Sequence, residues 1–201
     1  MANFNNDLAL GAERRQRLRD AKTHTALLGF AFLVFLLLAS IENSVFFKVL
    51  LKDLLKNHLA AVGMLFLHNA LVVSLILLGM SFYVSLVRSD FFKREKYSHI
   101  VLEHPRAFAA AFTLLTVFLS ILRGCVLIYG HVEIEALPAI LFISTPIGLV
   151  EGYGIYLTIR NTLSQTMKTR DLIHIYSIFL IAAVLEVAFI NVLITTLKLT
   201  A

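Results

Sequence analysis

Five stretches of the chain are apolar for long enough to cross a bilayer as helices, and no other feature constrains the fold as strongly. A hydrocarbon core about 30 Å thick takes about 20 residues at about 1.5 Å each, and a helix pairs its own backbone groups there. The stretches run from Thr25 to Ile41, Leu59 to Val87, Ala107 to Tyr129, Leu137 to Ile159 and Leu172 to Leu197, each bounded by charge or proline. Composition agrees: 59% of the 201 residues are apolar and 15% are charged, against about 25% charged in soluble domains. A water-soluble globule is excluded. The sequence predicts an all-α, polytopic membrane helix bundle with about five transmembrane helices plus one interfacial amphipathic helix. Residues 1–23 form a cytoplasmic basic N-terminal segment, and residues 24–201 a single transmembrane helical domain.

The interfacial helix is assigned to Ser44 to His58, SVFFKVLLKDLLKNH. Phe47, Leu50, Leu51, Leu54 and Leu55 follow helical spacing while Lys48, Lys52 and Lys56 recur every fourth residue, a pattern suited to the headgroup plane. The alternative is that this segment begins one long helix continuing through Leu59.

Charge sets the expected direction. With a cytoplasmic N-terminus, inner segments hold 13 of the 18 Lys and Arg, outer segments hold four, and Arg123 lies inside a span. The positive-inside bias then gives a multi-pass protein of the cell membrane, N-terminus cytoplasmic and C-terminus outside. This placement of the net charge of +5 fits a membrane protein rather than a nucleic-acid binder. The apolar run after the basic start is longer than an export signal's, so it reads as a retained anchor. A single cysteine, Cys125, allows neither an internal disulfide nor a thiolate metal cluster.

Ionisable groups inside spans are costly, so each needs a partner or a water path. Four sites qualify: His68 with Asn69, Arg123, Glu151, and Glu186 with Asn191. Helix rise puts Arg123 about 24 Å and Glu186 about 21 Å from the inner edge, nearly level, which predicts an ion pair joining the third and fifth spans. Glu151, about 13 Å from that edge, needs a different partner. His68 and Asn69 fall in the outer third of their span, within reach of Asn191, as interhelical hydrogen-bonding residues. No second His or Cys stands one turn away to make His68 a metal ligand.

The fourth span, LPAILFISTPIGLVEGYGIY, carries Pro146, which removes an amide donor, with Ser144 and Thr145 available to the freed carbonyls. Gly148 and Gly152 make a GxxxG spacing that lets another backbone approach. Helix packing is the expected use of this surface, and a broken helix lining a polar cavity the alternative.

The stretch HVEIEALPAI at His131 to Ile140, the small-residue span after it, and IYSIFLIAAVLEVAFINVLIT at Ile175 to Thr195 resemble the stage II sporulation protein M family. The family pattern is His-Gly-x-x-Glu-x-Pro-Ala before a glycine-rich span, then Leu-x-x-Ala-Ala-x-x-Glu-x-x-x-Thr in the last span. FLHNALVVSLILLGM at Phe66 to Met80 is similar to the His-Asn start of an earlier family span. The resemblance covers Phe47 to Thr195. It departs at Val132, where the family has glycine, and in one extra residue between Glu135 and Pro138; an Asn-Gly span motif is missing. The resemblance marks His131, Glu135, Pro138, Glu186 and Asn69. It implies a role linked, in spore formers, to membrane migration during engulfment alongside wall-degrading partners, and implies no catalysis.

Three functions follow as expectations. The first is a non-enzymatic scaffold or assembly partner in a membrane complex, held in the lipid bilayer as a homo-oligomer or with another membrane subunit, without cofactor or nucleic acid. The second is a small transporter or channel whose polar route is lined by Glu151, Glu186, Arg123 and His68. The third, an intramembrane thiol enzyme using Cys125 with Arg160 and His174, fails on geometry: Cys125 belongs near the outer face and the other two near the inner. The first reading is the expected one.

Overall fold

The computed structural model describes residues 2–50, 57–88, 100–129, 134–135 and 137–199. These form helices α1 (Ala2–Leu50), α2 (His58–Arg88), α3 (Ile100–Glu103), α4 (Pro105–Tyr129), α5 (Leu137–Leu163) and α6 (Thr169–Leu199), with no strand among the described residues. Among the described residues, four segments are long and apolar enough to cross a membrane: Arg19–Glu42, His58–Arg88, Pro105–Leu122 and Thr169–Asn191. Helix α5, at 27 residues, is about 40 Å long.

The structure corrects the expectation of a separate interfacial helix at Ser44 to His58. Helix α1 continues without interruption from the first apolar stretch through Leu50, because no proline or glycine stands between Phe30 and Leu50 to end it. The remainder of the segment, residues 51–56, lies outside the described residues. The alternative, one helix running on through Leu59, is also set aside. Asn57 is not helical, and its Oδ1 accepts a hydrogen bond from the Ala60 amide at 3.2 Å. Asn57 is the N-cap of a new helix, satisfying an amide that has no partner within the helix.

Helices α1 and α2 pack antiparallel in one register. A Cβ on Gly29 would stand 2.9 Å from the Phe82 ring, and one on Gly79 would stand 3.0 Å from the Phe32 ring. Each glycine therefore receives the aromatic ring of the opposite helix, and the two rings stack with centroids 6.5 Å apart. Toward one end of the pair, Thr25 Oγ1 meets Ser85 Oγ at 2.6 Å; toward the other, Glu42 meets His68. In all four contacts the paired residue numbers total 110 or 111, so the register does not slip.

Helix α2 is the hub, with α1, α5 and α6 packed around it. It runs antiparallel to α6, as the pairs Ser74–Tyr176 and His58–Asn191 require. Ala61, Leu65, Ala183 and Val187 form a buried cluster along this seam. Helices α5 and α6 are also antiparallel and meet where the Phe179 ring lies over Gly154. Helix α4 lies antiparallel along α5, with Val117 on Gly148 and Thr113 on Gly152. Among the described residues, α1, α4 and α6 thus run one way and α2 and α5 the other.

The α5–α6 turn has a local cause for each bond. Thr166 N–H bonds to Asn161 C=O and Gln165 N–H to Thr162 C=O, with Gln165 at φ 54°. This is the Schellman closure, which needs a left-handed residue just past the helix end. Helix α6 then opens with the Asp171 carboxylate accepting from the Lys168 amide at 2.9 Å, the returning half of a capping box.

Large apolar side chains cover the outside: Leu27, Phe30, Leu33, Leu37, Leu114 and Phe142 are each more than 60% exposed. The accessible surface is 13859 Å², whereas a soluble monomer of this mass exposes about 9,500 Å². Such a surface is stable in hydrocarbon and not in water.

Candidate functional site

Five polar side chains from four helices gather in one region of the bundle. Glu42 comes from α1, His68 and Asn69 from α2, Glu151 from α5 and Glu186 from α6. His68 Nδ1 lies 2.8 Å from Glu42 Oε2. Its neighbour Asn69 donates from Nδ2 to Glu151 Oε1 at 2.9 Å. Adjacent positions on a helix point about 100° apart, so α2 sends one polar side chain toward α1 and the next toward α5. Glu151 also lies within electrostatic range of both His68 and Glu186. Glu42 Oε1 is buried and makes no hydrogen bond among the described residues.

Further polar contacts flank this cluster along α2. Ser74 Oγ donates to the Ala70 carbonyl at 2.7 Å, so its contact with Tyr176, also 2.7 Å, has the Tyr176 hydroxyl as donor. By the same reasoning Ser85 donates to Thr25, whose own hydroxyl hydrogen goes to Ala21 C=O. At the opposite end Asn191 Nδ2 lies 2.9 Å from His58 Nδ1. The Ser74–Tyr176, Thr25–Ser85 and His58–Asn191 contacts each join α2 to another helix. In hydrocarbon, where water cannot serve as partner, such bonds contribute about 0.6–2 kcal/mol each.

The residues singled out in the sequence are distributed as follows. His68, Asn69, Glu151 and Glu186 belong to the cluster. Asn191 stands apart from His68 and Asn69, bonded to His58, because α2 and α6 are antiparallel and their level partners are fixed by register. The side chains of Arg123 and Cys125 lie outside the described residues, and so does the expected ion pair between Arg123 and Glu186; His131 lies outside them as well. Glu135 and Pro138 are exposed at the α4–α5 connection. Helix α5 is unbroken through Pro146, which faces outward, and Thr145 Oγ1 bonds the Leu141 carbonyl. Gly148 and Gly152 receive Val117 and Thr113 of α4, so the GxxxG face is filled from within the chain. Among the described residues no group of three or more His, Cys, Asp or Glu is placed to hold a metal ion.

Sequence reasoning missed the hydrogen-bonding parts played by Glu42, Ser74, Thr25 and Tyr176. Glu42 reads as the charge that ends the first apolar stretch; the signal that would have found it is hairpin register, since an antiparallel neighbour brings the end of one span level with the interior of the next. Comparison with protein-family models, with curated proteins and with solved structures finds no match to this chain.

Proposed function

We propose that this chain is a non-enzymatic scaffold or assembly partner in a membrane complex, with five spans, a cytoplasmic N-terminus and an outer C-terminus. The observation that carries the reading is the inward turn of the polar side chains. His68 meets Glu42, Asn69 meets Glu151, Tyr176 meets Ser74 and Asn191 meets His58, each contact tying one helix to another. Groups spent on holding helices together are suited to a rigid frame, and the apolar exterior offers surface to lipid and to other membrane subunits. The alternating direction of the five long helices supports adding α5 to the four apolar spans, and an odd number of spans separates the termini. The resemblance to the stage II sporulation protein M family points to the same class of role.

Cross-linking in native membranes at native expression level tests this. A discrete homo-oligomer or a defined partner subunit is expected, and a lone monomer overturns the reading. A cysteine introduced near each terminus, in a Cys125→Ser background, is expected to label from the cytoplasmic side at the N-terminus and from outside at the C-terminus.

A second reading, a small transporter, is favoured by one observation: His68 has Glu42 bonded to it and Glu151 within electrostatic range, and Glu186 is within range of Glu151. Charge pathways through membranes are built from such groups. Flux into liposomes that falls on Glu151→Gln would establish it, and equal flux with and without the protein would remove it.

A further inference from the structure

Helices α4 and α5 enclose an apolar groove of about 520 Å³ on the outer surface of the bundle. Its floor is the close contact at Gly148 and Gly152, and its rims carry Leu114, Phe118, Leu149 and Tyr153, each about half or more exposed. Along α4 the lining runs from Ala110 to Ile121, about 16 Å, against about 15 Å for one leaflet of the hydrocarbon core.

One end of this groove is cationic. Thr113 and Gly152 are level across the helix pair. Arg106 stands seven residues before Thr113, and Arg160 seven after Tyr153, so each lies two turns along the groove-lining face of its own helix. From the Thr113–Gly152 contact they are displaced about 10.5 Å and about 12 Å in the same direction. Two arginines therefore share the level at which the groove ends. Arg160 is held in place: its guanidinium lies over the Tyr156 ring, 5.6 Å from the centroid, and its Nε donates to Asn161 Oδ1 at 3.0 Å. Those contacts leave the terminal nitrogens of the fork for a ligand. Among the described residues neither arginine forms an ion pair, including with nearby Glu103.

From these features we infer that the α4–α5 groove binds an anionic phospholipid, one acyl chain lying over the seam where Val117 and Thr113 cover Gly148 and Gly152, and the phosphate between Arg106 and Arg160. A guanidinium fork matches phosphate geometry, and basic pockets between membrane helices select anionic head groups. The tyrosines at the same end, Tyr153 and Tyr156, have an apolar ring for the chain and a hydroxyl for the interface. Two arginines at the end of an apolar groove call for an anion joined to an apolar chain, and the lipid supplies both parts.

The chain contains no tryptophan, so a Phe118→Trp variant gives a single reporter inside the groove. A Leu180→Trp variant reports from the exposed face of α6. Each full-length protein is reconstituted in phosphatidylcholine vesicles containing increasing brominated phosphatidylglycerol. Quenching at position 118 is expected to half-saturate at a mole fraction on the order of tenfold below that at position 180. Arg106→Ala with Arg160→Ala should abolish the difference. Ala110→Phe, placed at an exposed position in the groove, should abolish it too while keeping both arginines and the helix contact. Equal quenching at both positions overturns the proposal. Protection of position 118 from all brominated lipid, with dimers cross-linked through α4 and α5, overturns it in favour of a second copy.

Discussion

Of the described glycines, Gly154 has the least room for a side chain and gives the sharpest test of the fold. A Cβ added at Gly154 would stand 2.5 Å from Phe179 Cε2 and 2.8 Å from Cζ. Carbon atoms pack best at about 3.5–4.0 Å, so Gly154→Ala requires a shift of about 1 Å. Phe179 is only 2% exposed and sits in the main core cluster with Ile155, Ile175 and Ile178, so its ring has nowhere to go. Overpacking of this kind costs about 1–3 kcal/mol, here toward the upper end, from which the helix propensity of alanine over glycine returns about 1 kcal/mol. The net expectation is a loss of about 2 kcal/mol. For a chain of this size that corresponds to about 4–8 °C in the unfolding midpoint, using the scale of soluble proteins. Thermal unfolding in detergent, followed by the helical circular dichroism signal, reads it. Gly63→Ala is the control, because nothing lies within 4 Å of the added carbon; it should hold or raise the midpoint. Phe179→Leu alone should cost about 1 kcal/mol, yet combined with Gly154→Ala it should leave the protein no less stable than Phe179→Leu by itself, because the clash is gone. Gly154→Ala at or above the parent midpoint would refute the α5–α6 packing described here.

Three further outcomes are expected. Asn69→Leu removes the one hydrogen bond to Glu151 among the described residues and should cost more than Asn69→Leu with Glu151→Leu, since a stranded, largely buried carboxyl is worse than none; unfolding of the two variants in detergent compares them. Ser74→Ala and Tyr176→Phe should each cost about 0.6–2 kcal/mol, and the double variant about the same as either single one, which a double-mutant cycle reads directly. Gln165→Gly should stabilise by about 1 kcal/mol, since glycine occupies the left-handed conformation at no steric cost; an unchanged or lower midpoint would contradict the Schellman closure.

How much of this was legible beforehand depended on whether a feature is local or relational. Apolar length is local, and it marked the helices closely: α2 begins one residue before the expected Leu59, and α5 begins at the expected Leu137. Register is relational. His68, Asn69, Glu151 and Glu186 were visible as polar residues in apolar runs, but level estimates from each span's edge do not say which helices are neighbours. Asn191 was expected beside His68 and Asn69 and instead stands level with His58, about 15 Å further along α2. The segment after Ile41 misled for a different reason. Its lysines every fourth residue describe a wet face, and a wet face is equally consistent with a continuation of the preceding helix, as α1 shows through Leu50; Asn57, a capping residue, marks where α2 begins.

The same logic explains why α2 is the hub. A helix contacted by one neighbour needs one apolar stripe and one set of matched polar positions. Helix α2 meets three, and its polar residues divide accordingly: Ser85 and His68 toward α1, Asn69 toward α5, Ser74 and His58 toward α6. In lipid the apolar effect does not choose between helix neighbours, because hydrocarbon is as good a partner as leucine. Close packing and hydrogen bonds make the choice instead. Gly29, Gly79 and Gly154 allow backbones to approach only where a specific ring fits, and the polar pairs are satisfied only in one register. A slip of α1 against α2 by one turn would at once lift Phe32 from Gly79 and part Glu42 from His68, so packing and polar satisfaction reject the same errors.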